Sequence, residues 1–254
     1  MVTVRAGTRP ARVVRRPPRA LRWLRRLVVA VLVFAVLAVA GVGVGWLLTP
    51  TVEDAGARVT RFLAAHDAPA LQGAVPPRIA EALIATEDSR FYRNPGVDPV
   101  SVLRAPVALV LQRDQGGATL EQQLAKNLYL GGRTGGLDSV AGAVLALKID
   151  RSWTKAQILR MYFDDGYYGH GYYGLTDAAR GYFGEEPGQL TWAQASLLAG
   201  LFQAPSAYDP LLHPAAARTR QGHVLDRLVA TGALTRAQAD VVAGRPWGLR
   251  STAG

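Results

Sequence analysis

The amino-acid sequence predicts a mainly α-helical protein, in which a helical domain follows a single N-terminal transmembrane helix. Residues 27–48 form an uncharged apolar run, and from Arg78 onward apolar residues recur at helical spacing. Alternating runs typical of strands are scarce, and glycines and aromatic residues cluster in the joints between periodic segments, notably at 166–174. A chain of 254 residues is long enough for one ordinary domain with some extras.

The first 26 residues are rich in arginine and proline and lack a sustained apolar period, which predicts a disordered tail. Nine of the 29 basic residues lie in this tail, with none of the 19 acidic ones, so the rest of the chain is nearly neutral. A nucleic-acid-binding fold would need a basic face on its folded part, so we expect no nucleic-acid partner.

The apolar run at 27–48 has the length of a transmembrane helix. At roughly 1.5 Å per residue it spans about 33 Å, which exceeds a hydrocarbon core of about 30 Å. It is longer than the roughly 7 to 15 apolar residues of a signal peptide, and no clear cleavage site follows it, which favours a retained anchor over cleavage. The arginines before it place the N-terminus in the cytoplasm and the chain after Thr49 outside, and Trp23 and Trp46 sit near its two ends.

The remaining chain divides into a connector at 49–73, a helical domain at 74–245 and a C-terminal tail at 246–254. Prolines interrupt the connector, whose detail the pattern does not fix. Within the domain, helical periodicity predicts helices over 80–85, 100–111, 120–130, 140–149, 156–163 and 190–201.

Two stretches carry the candidate chemistry. In the first, Glu87 and Asp88 follow the apolar helix that ends near Ala85, where burial would raise a carboxyl pKa toward the range useful for a general acid or base. A solvated helix end is the alternative, because Glu-Asp pairs are common there. In the second stretch, 116–127, glycines and the helix cap Thr119 precede a run of strong helix formers.

Together these stretches resemble the peptidoglycan glycosyltransferases, found as monofunctional transglycosylases and as one domain of class A penicillin-binding proteins. The family's first motif, E-D-x-x-F-x-x-H-x-G-x-D, is matched by Glu87, Asp88, Phe91, Gly96 and Asp98, with Asn94 in place of His. Its second, G-x-S-T-x-x-Q-Q-x-A-K-N, is matched by Gly117, Thr119, Gln122, Gln123, Ala125, Lys126 and Asn127, with Ala118 in place of Ser. Further similar segments at 163–175, 178–184 and 197–210 extend the resemblance over about 74–242.

The resemblance implies a lysozyme-like core and an enzyme that joins lipid II units with release of undecaprenyl diphosphate. Glu87 would act as general base on the acceptor 4-hydroxyl. The implied substrate-binding residues are Asp88, Phe91, Arg104, Thr119, Gln122, Gln123, Lys126, Asn127 and Arg180, of which Arg104 and Arg180 would supply charge for the diphosphate.

The implied partners are lipid II, the nascent glycan strand, the cytoplasmic membrane and cell-wall synthesis proteins. No tightly bound cofactor is expected, although a divalent cation, Mg²⁺ or Mn²⁺, could accompany the substrate diphosphate. The sequence shows no protein-only metal site, because cysteine is absent and the four histidines are scattered without ligand spacing.

The sequence departs from the family at its third motif, R-K-x-x-E, whose Arg-Lys pair is implicated in diphosphate binding and whose Glu is a second catalytic carboxylate. Aligned without gaps, these positions hold Asp138, Ser139 and Gly142. An Asp in place of Arg would repel a diphosphate, and glycine carries no acid. The departure keeps two alternatives open: a scaffold or lipid II-binding protein with the same fold, and a lysozyme-like enzyme that cleaves glycan.

One further pattern, Ser152-x-x-Lys155, matches the nucleophile motif of penicillin-binding proteins and β-lactamases. No K-T-G follows in the remaining chain, and Thr154 with Lys155 reads better as the start of a helix. We therefore do not assign a serine nucleophile.

Overall fold

The computed structural model describes residues 19–99 and 118–250. The chain separates into two units, residues 1–44 and 45–254. The first helix, α1, spans Arg19–Leu48 and so begins inside the predicted tail. Its segment Arg25–Leu48 has a mean hydropathy of 3.0, and in the described part of the chain no other helix has the length and apolar composition needed to cross a membrane.

The second unit is helical, in agreement with the predicted fold class. Its helices are α2 Ala55–Ala65, α3 Pro77–Glu87, α4 Leu120–Leu130, α5 Gly136–Ser152, α6 Lys155–Asp164, α7 Gly174–Phe183, α8 Trp192–Leu201, α9 Pro214–Thr231 and α10 Arg236–Ala243, with a 3₁₀ turn at Pro187–Gln189. Within 19–99 and 118–250 there is no β-strand, and the only β pairing there is an isolated bridge between Tyr167 and Tyr173. The helix predicted at 100–111 lies outside the described residues.

Four helices begin with the same threonine cap. In each, the threonine hydroxyl accepts a hydrogen bond from the backbone of a glutamine three residues later, and that glutamine side chain binds the threonine backbone in return. The caps are Thr119 for α4, Thr154 for α6, Thr191 for α8 and Thr235 for α10. The helix caps predicted at Thr119 and Thr154 are confirmed. The Ser152-x-x-Lys155 pattern is therefore explained by the start of α6 and needs no serine nucleophile.

The core is organised around α3, which packs against both α8 and α9. Ile79 and Leu83 on α3 are fully buried, and every residue of α8 after Trp192 is buried. Burying one such aliphatic side chain contributes about 1.5–3 kcal/mol. The packing fixes α3 along its length and therefore fixes where its last residue lies.

The predicted connector and tail are more closely packed than their sequences suggest. The connector contains α2, whose Val59 and Leu63 belong to the core. In the tail, Trp247 is buried and its indole N–H donates to the Gln221 side chain at 2.9 Å. The backbone N–H of Arg250 donates to the carbonyl of Tyr182 at 2.8 Å. Both segments lack a strong local period, so only tertiary contact reveals their packing.

Gly96 illustrates how tightly the segment after α3 meets α5. Its φ is +89°, and an added Cβ would lie 2.9 Å from the Cβ of Asp150 and in steric overlap with the carbonyl of Ala146. We expect Gly96→Ala to lower the free energy of unfolding by about 2–4 kcal/mol, from backbone strain plus overpacking. Thermal and urea unfolding of the full chain in detergent measure this.

Gly222→Ala is the matched control, since Gly222 lies inside α9 and an added Cβ there meets nothing within 4 Å. That variant should gain about 0.5–1 kcal/mol from helix propensity. Equal stability of Gly96→Ala and the wild type would show that the segment after α3 does not meet α5 as described.

Candidate active site

Glu87 is the last residue of α3, and its carboxylate is held by two side chains from other helices. The Nη2 of Arg220 on α9 lies 3.3 Å from Oε1, and the Nε2 of Gln123 on α4 lies 3.5 Å from Oε2. Arg220 also donates from Nε to the carbonyl of Gly200 at 3.0 Å, which fixes its guanidinium plane. The carboxylate keeps 19% of its side-chain surface exposed, so it is partly desolvated and still reachable.

The surroundings of Glu87 set opposing effects on its acidity. Burial raises the pKa of Glu87 above its ordinary value, while the Arg220 charge and the Gln123 hydrogen bond work against that rise. A carboxylate whose pKa is raised by burial is better suited to accept a proton near neutral pH. The role of Glu87 as the base stays a prediction.

A tyrosine fixes the orientation of Gln123. The phenol of Tyr162 on α6 donates to Gln123 Oε1 at 2.7 Å, which leaves the amide nitrogen to donate to Glu87 at 3.5 Å and to the Ala118 carbonyl at 3.3 Å. Burial raises the pKa of Tyr162, and the charges of Glu87 and Asp165 add to this effect. Tyr162 thus remains a donor at physiological pH and lies within the electrostatic field of two carboxyl groups.

A cavity of about 430 Å³ adjoins this network. Gln123, Lys126, Asn127 and Asp165 supply its polar side, and Phe62, Tyr167 and Tyr173 are among the aromatic residues that line it. Aromatic faces beside convergent polar groups are typical of a binding site. Three of the predicted substrate-binding residues, Gln123, Lys126 and Asn127, are therefore brought together, and Gln123 connects them to Glu87.

Asp165 is a residue of this cavity that the sequence analysis missed. Its Oδ2 accepts a hydrogen bond from the Asn127 amide at 2.9 Å, and burial raises its pKa to about 6. The available sequence signal was weak: a second aspartate directly after a helix and directly before the glycine- and tyrosine-rich loop. Nothing local distinguishes it from Asp164.

Asp88 has a mainly structural environment. It is 8% exposed, and its Oδ2 accepts from the Asn94 amide at 2.8 Å and from the backbone N–H of Leu120 at 3.4 Å. The Asn94 Oδ1 in turn accepts from the backbone N–H of Gly96 at 3.0 Å. Asn94, at the position where the family motif has His, thereby supports the turn and links it to the start of α4.

Three other predicted binding residues face the interior or a helix cap. Phe91 is fully buried in the core, and Lys155 Nζ lies 4.8 Å from its ring centroid. Thr119 is fully buried and donates to the carbonyl of Gly96 at 2.6 Å, besides capping α4. Gln122 completes that cap. In this conformation none of the three lines the cavity, so their predicted substrate contacts stay predictions.

Of the two predicted diphosphate arginines, the structure describes only Arg180, which does not line the cavity. Arg180 lies on α7, is exposed, and pairs with Glu186 at 2.7 Å. Arg104 lies outside the described residues. Arg220, which the sequence analysis did not select, is the arginine that contacts Glu87.

The positions of the third motif lie in the first turns of α5. Asp138 pairs with Arg133 at 3.3 Å, and the Ser139 hydroxyl accepts from the backbone N–H of Gly135 at 3.0 Å. Gly142 is buried, and an added Cβ there would lie 3.5 Å from Leu130, an ordinary contact. Arg133, the basic residue just before α5, is thus engaged with Asp138.

The other basic residues of α5 are also engaged. Lys148 is 7% exposed and donates to the backbone carbonyls of Trp46, Thr49 and Pro50 at 2.9, 2.8 and 3.0 Å. The Arg151 guanidinium lies 5.1 Å from the Trp46 ring centroid. Both side chains are thus held at the end of α1.

A family model described as a transglycosylase matches residues 56–229. The chain belongs to the transglycosylase family. It is 39% identical to a Cupriavidus necator protein provisionally named a transglycosylase, covering 70% of this chain and 78% of that protein. The family resemblance drawn from the motifs is confirmed, and membership supports an enzyme of the glycosyltransferase type.

Several relatives are longer penicillin-binding proteins. The chain is 34% identical to penicillin-binding protein 1F of Bacillus subtilis and 39% identical to penicillin-binding protein 1A of Escherichia coli, covering 78% and 65% of this chain but only 28% and 20% of theirs. A crystal structure of penicillin-binding protein 1A from Haemophilus influenzae matches with a TM-score of 0.41 and 20% identity, over 69% of this chain and 17% of that one. The chain therefore spans only 17% to 28% of the length of these longer relatives.

The Asp165 carboxyl predicts a pH dependence of stability. Its pKa is about 6 in the fold against an ordinary value of 3.8, so between these values the folded state binds more protons than the unfolded state. Stability is then lost as pH rises toward 6. Asp165→Asn removes this loss, and we expect it to gain about 1–3 kcal/mol over the wild type at pH 7.5 relative to pH 4.

Thermal unfolding of the full chain at the two pH values measures the difference. Asp67→Asn, at an exposed turn position, serves as the control for replacing an aspartate by asparagine as such. An Asp165→Asn effect that does not change with pH would contradict the environment described for this carboxyl.

Proposed function

We propose that the protein is a membrane-anchored peptidoglycan glycosyltransferase that polymerises lipid II into glycan strands, with release of undecaprenyl diphosphate. One observation carries the proposal: the partly buried Glu87, held by Arg220 and Gln123, lies beside a cavity to which Lys126 and Asn127 of the second motif contribute. Family membership supplies the reaction class, and the geometry supplies a base with a neighbouring binding cavity.

In the proposed reaction Glu87 accepts the proton of the acceptor 4-hydroxyl. The oxygen attacks the anomeric carbon of the donor sugar, the bond from that carbon to the diphosphate oxygen breaks, and the diphosphate leaves with the electron pair. Arg220 favours the ionised form of Glu87 before the step, and the Tyr162–Gln123 hydrogen bond holds the amide that orients its carboxylate. Lys126, in the adjoining cavity, provides a positive charge for the anionic donor.

The described residues do not form a site for a divalent cation. They contain no group of three acidic or histidine side chains placed to hold a metal ion. Glu87 already faces the Arg220 guanidinium, and Asp165 accepts an amide N–H from Asn127. The described residues therefore offer no set of protein ligands that fits the Mg²⁺ or Mn²⁺ ion which the resemblance allows with the substrate diphosphate.

The membrane anchor suits a lipid-linked substrate. The apolar segment Arg25–Leu48 would retain the protein in the cytoplasmic membrane as a single-pass anchor, with the arginine-rich N-terminus in the cytoplasm and the catalytic domain outside. An enzyme tethered to the membrane meets a lipid-linked donor at a high effective concentration.

A scaffold that binds lipid II without polymerising it is the second candidate. It is favoured by the third motif, where Asp138, Ser139 and Gly142 occupy the positions of the Arg-Lys pair and the second Glu. The nearest basic residues are engaged elsewhere, as with Arg133 and Lys148. Such a protein would act through cell-wall synthesis proteins. A glycan-cleaving enzyme is the third class, which the second motif and the segment at 197–210 disfavour.

Purified full-length protein with labelled lipid II separates the three functions. A glycan ladder supports the polymerase, binding without turnover supports the scaffold, and cleavage of preformed glycan supports the third class.

In the polymerase, Glu87→Gln should reduce turnover at least about a hundredfold, because it removes the base and keeps the shape. Glu81→Gln, on the exposed side of α3, is the control and should leave turnover unchanged. Near-wild-type turnover in Glu87→Gln would refute the assignment of the base.

Restoring the third motif tests how much the missing charges limit the enzyme. We expect Asp138→Arg, Ser139→Lys and Gly142→Glu together to raise the rate of lipid II polymerisation at least about tenfold, or about 1.4 kcal/mol of transition-state stabilisation. Rates of single turnover on labelled lipid II provide the measurement. A fast wild type without gain in the triple variant would show that these residues are dispensable, and a dead wild type that stays dead yet binds lipid II would favour the scaffold.

A further inference from the structure

Two carboxyl groups of the site have opposite surroundings. Glu87 faces the Arg220 guanidinium at 3.3 Å and an amide N–H of Gln123. Asp165 accepts one hydrogen bond from the neutral Asn127 amide, and within residues 19–99 and 118–250 no lysine, arginine or histidine lies within ion-pair distance of it. A nearby cation favours the ionised form, whereas burial without one favours the protonated form. Burial raises the pKa of both groups, but among the described residues only Glu87 has a cation that opposes the rise, so the protonated form is favoured more at Asp165 than at Glu87.

The contacts of the neighbouring Asp164 are those of a structural carboxylate and differ from the contacts of Asp165. Asp164 accepts from the backbone N–H of Leu71 at 3.0 Å and lies 4.0 Å from Arg160 on the preceding turn, so the fold accounts for its carboxylate. Asp165 instead faces the cavity, and its partner among the described residues is the neutral Asn127 amide.

Asp165 also lies on the substrate side of the network. It lines the same cavity as Gln123 and Lys126, and its charge and that of Glu87 both act on Tyr162. An ionised carboxylate at this place would repel an anionic diphosphate, whereas a protonated one would donate to it. Lys126 supplies positive charge on the same wall, which fits an anionic group bound there.

We propose that Asp165 is the proton donor to the leaving diphosphate, which makes Glu87 and Asp165 the base and acid of one reaction. This proposal rests on the function proposed above. Environments that separate the protonation states of two carboxyl groups are a recurrent way to assign acid and base roles. The Arg-Lys pair of the third motif is absent here, so its positive charge is missing from the site. The proton supplied by Asp165 would replace part of that charge.

The proton and electron balance is complete. The acceptor O–H bond breaks and its proton passes to Glu87, while the acceptor oxygen forms the new bond to the anomeric carbon. The bond from that carbon to the diphosphate oxygen breaks, its electron pair stays on oxygen, and the Asp165 proton binds the diphosphate. Glu87 then loses its proton to solvent and Asp165 regains one, which restores the starting state without a further reactant.

Lipid II polymerisation by full-length Asp165→Asn tests the role. Asn keeps the size and a hydrogen-bond donor but has no proton to give up. We expect turnover to fall about a hundredfold or more with KM changed only a few-fold, as for loss of a positioned acid. Asp165→Glu should retain a substantial part of the turnover. Asp164→Asn is the matched control, since Asn still accepts from the Leu71 N–H, and it should stay near wild type.

The pH profile separates proton donation from simple contact. In the wild type, turnover should rise as Glu87 ionises and fall again as Asp165 loses its proton; Asp165→Asn should lose the alkaline fall. The other titratable or charged groups facing Asp165 in the described residues are Lys126 from α4, Tyr162 from α6, and Tyr167 and Tyr173 from the following loop. These stay unaltered in the variant, so a limb that disappears belongs to Asp165.

The outcomes distinguish this proposal from the proposed function. A wild type that makes no glycan overturns both. A wild type that makes glycan while Asp165→Asn retains its rate and its alkaline limb overturns the acid assignment alone. Carbon-13 NMR of labelled aspartate carboxyls adds a measurement that needs no activity: an Asp165 that is fully ionised at pH 5 would also overturn the assignment, because it would hold no proton to give.

Discussion

The ion pair between Glu87 and Arg220 is the interaction on which the site depends, because it joins the end of α3 to α9 across a distance of 133 residues in sequence. The guanidinium of Arg220 also donates to the Gly200 carbonyl on α8, which holds it in place beside Glu87. An added Cβ at Gly200 would lie 3.1 Å from the Arg220 side chain, so the absence of a side chain there gives the arginine its path. Three packed helices thus determine the position of one carboxylate.

The sequence predicted the parts of this arrangement that are local. Helix periodicity and a helix end at Glu87 follow from residues adjacent in the chain, and so do the threonine caps such as Thr119. Arg220 and Asp165 could not be selected in this way. Arg220 is one of several arginines on a helix, and Asp165 differs from Asp164 only by the element that each one faces. Tertiary packing decides which of two identical side chains reaches a cavity.

The third motif shows the same limit of sequence-based prediction, namely that tertiary contacts are not visible in the sequence. Its substitutions were visible in the sequence, but the fate of the nearby basic residues was not. Lys148 satisfies the backbone carbonyls of Trp46, Thr49 and Pro50, which would otherwise be left without donors after the end of α1. Such a buried lysine stabilises the fold through these bonds and is therefore not available as a movable charge for a substrate.

The missing cations and the unpaired acid are consistent with one electrostatic account. A diphosphate leaving group develops negative charge, and it can be stabilised by fixed cations or by a proton. Where Asp138 and Ser139 replace the fixed cations, a carboxyl group without a described cationic partner becomes useful, because burial raises its pKa and so favours the form that holds a proton. The same group with an arginine beside it would be a permanent anion and would oppose the reaction. The absence of a cationic partner for Asp165 in the described residues is therefore the property that suits it to this site.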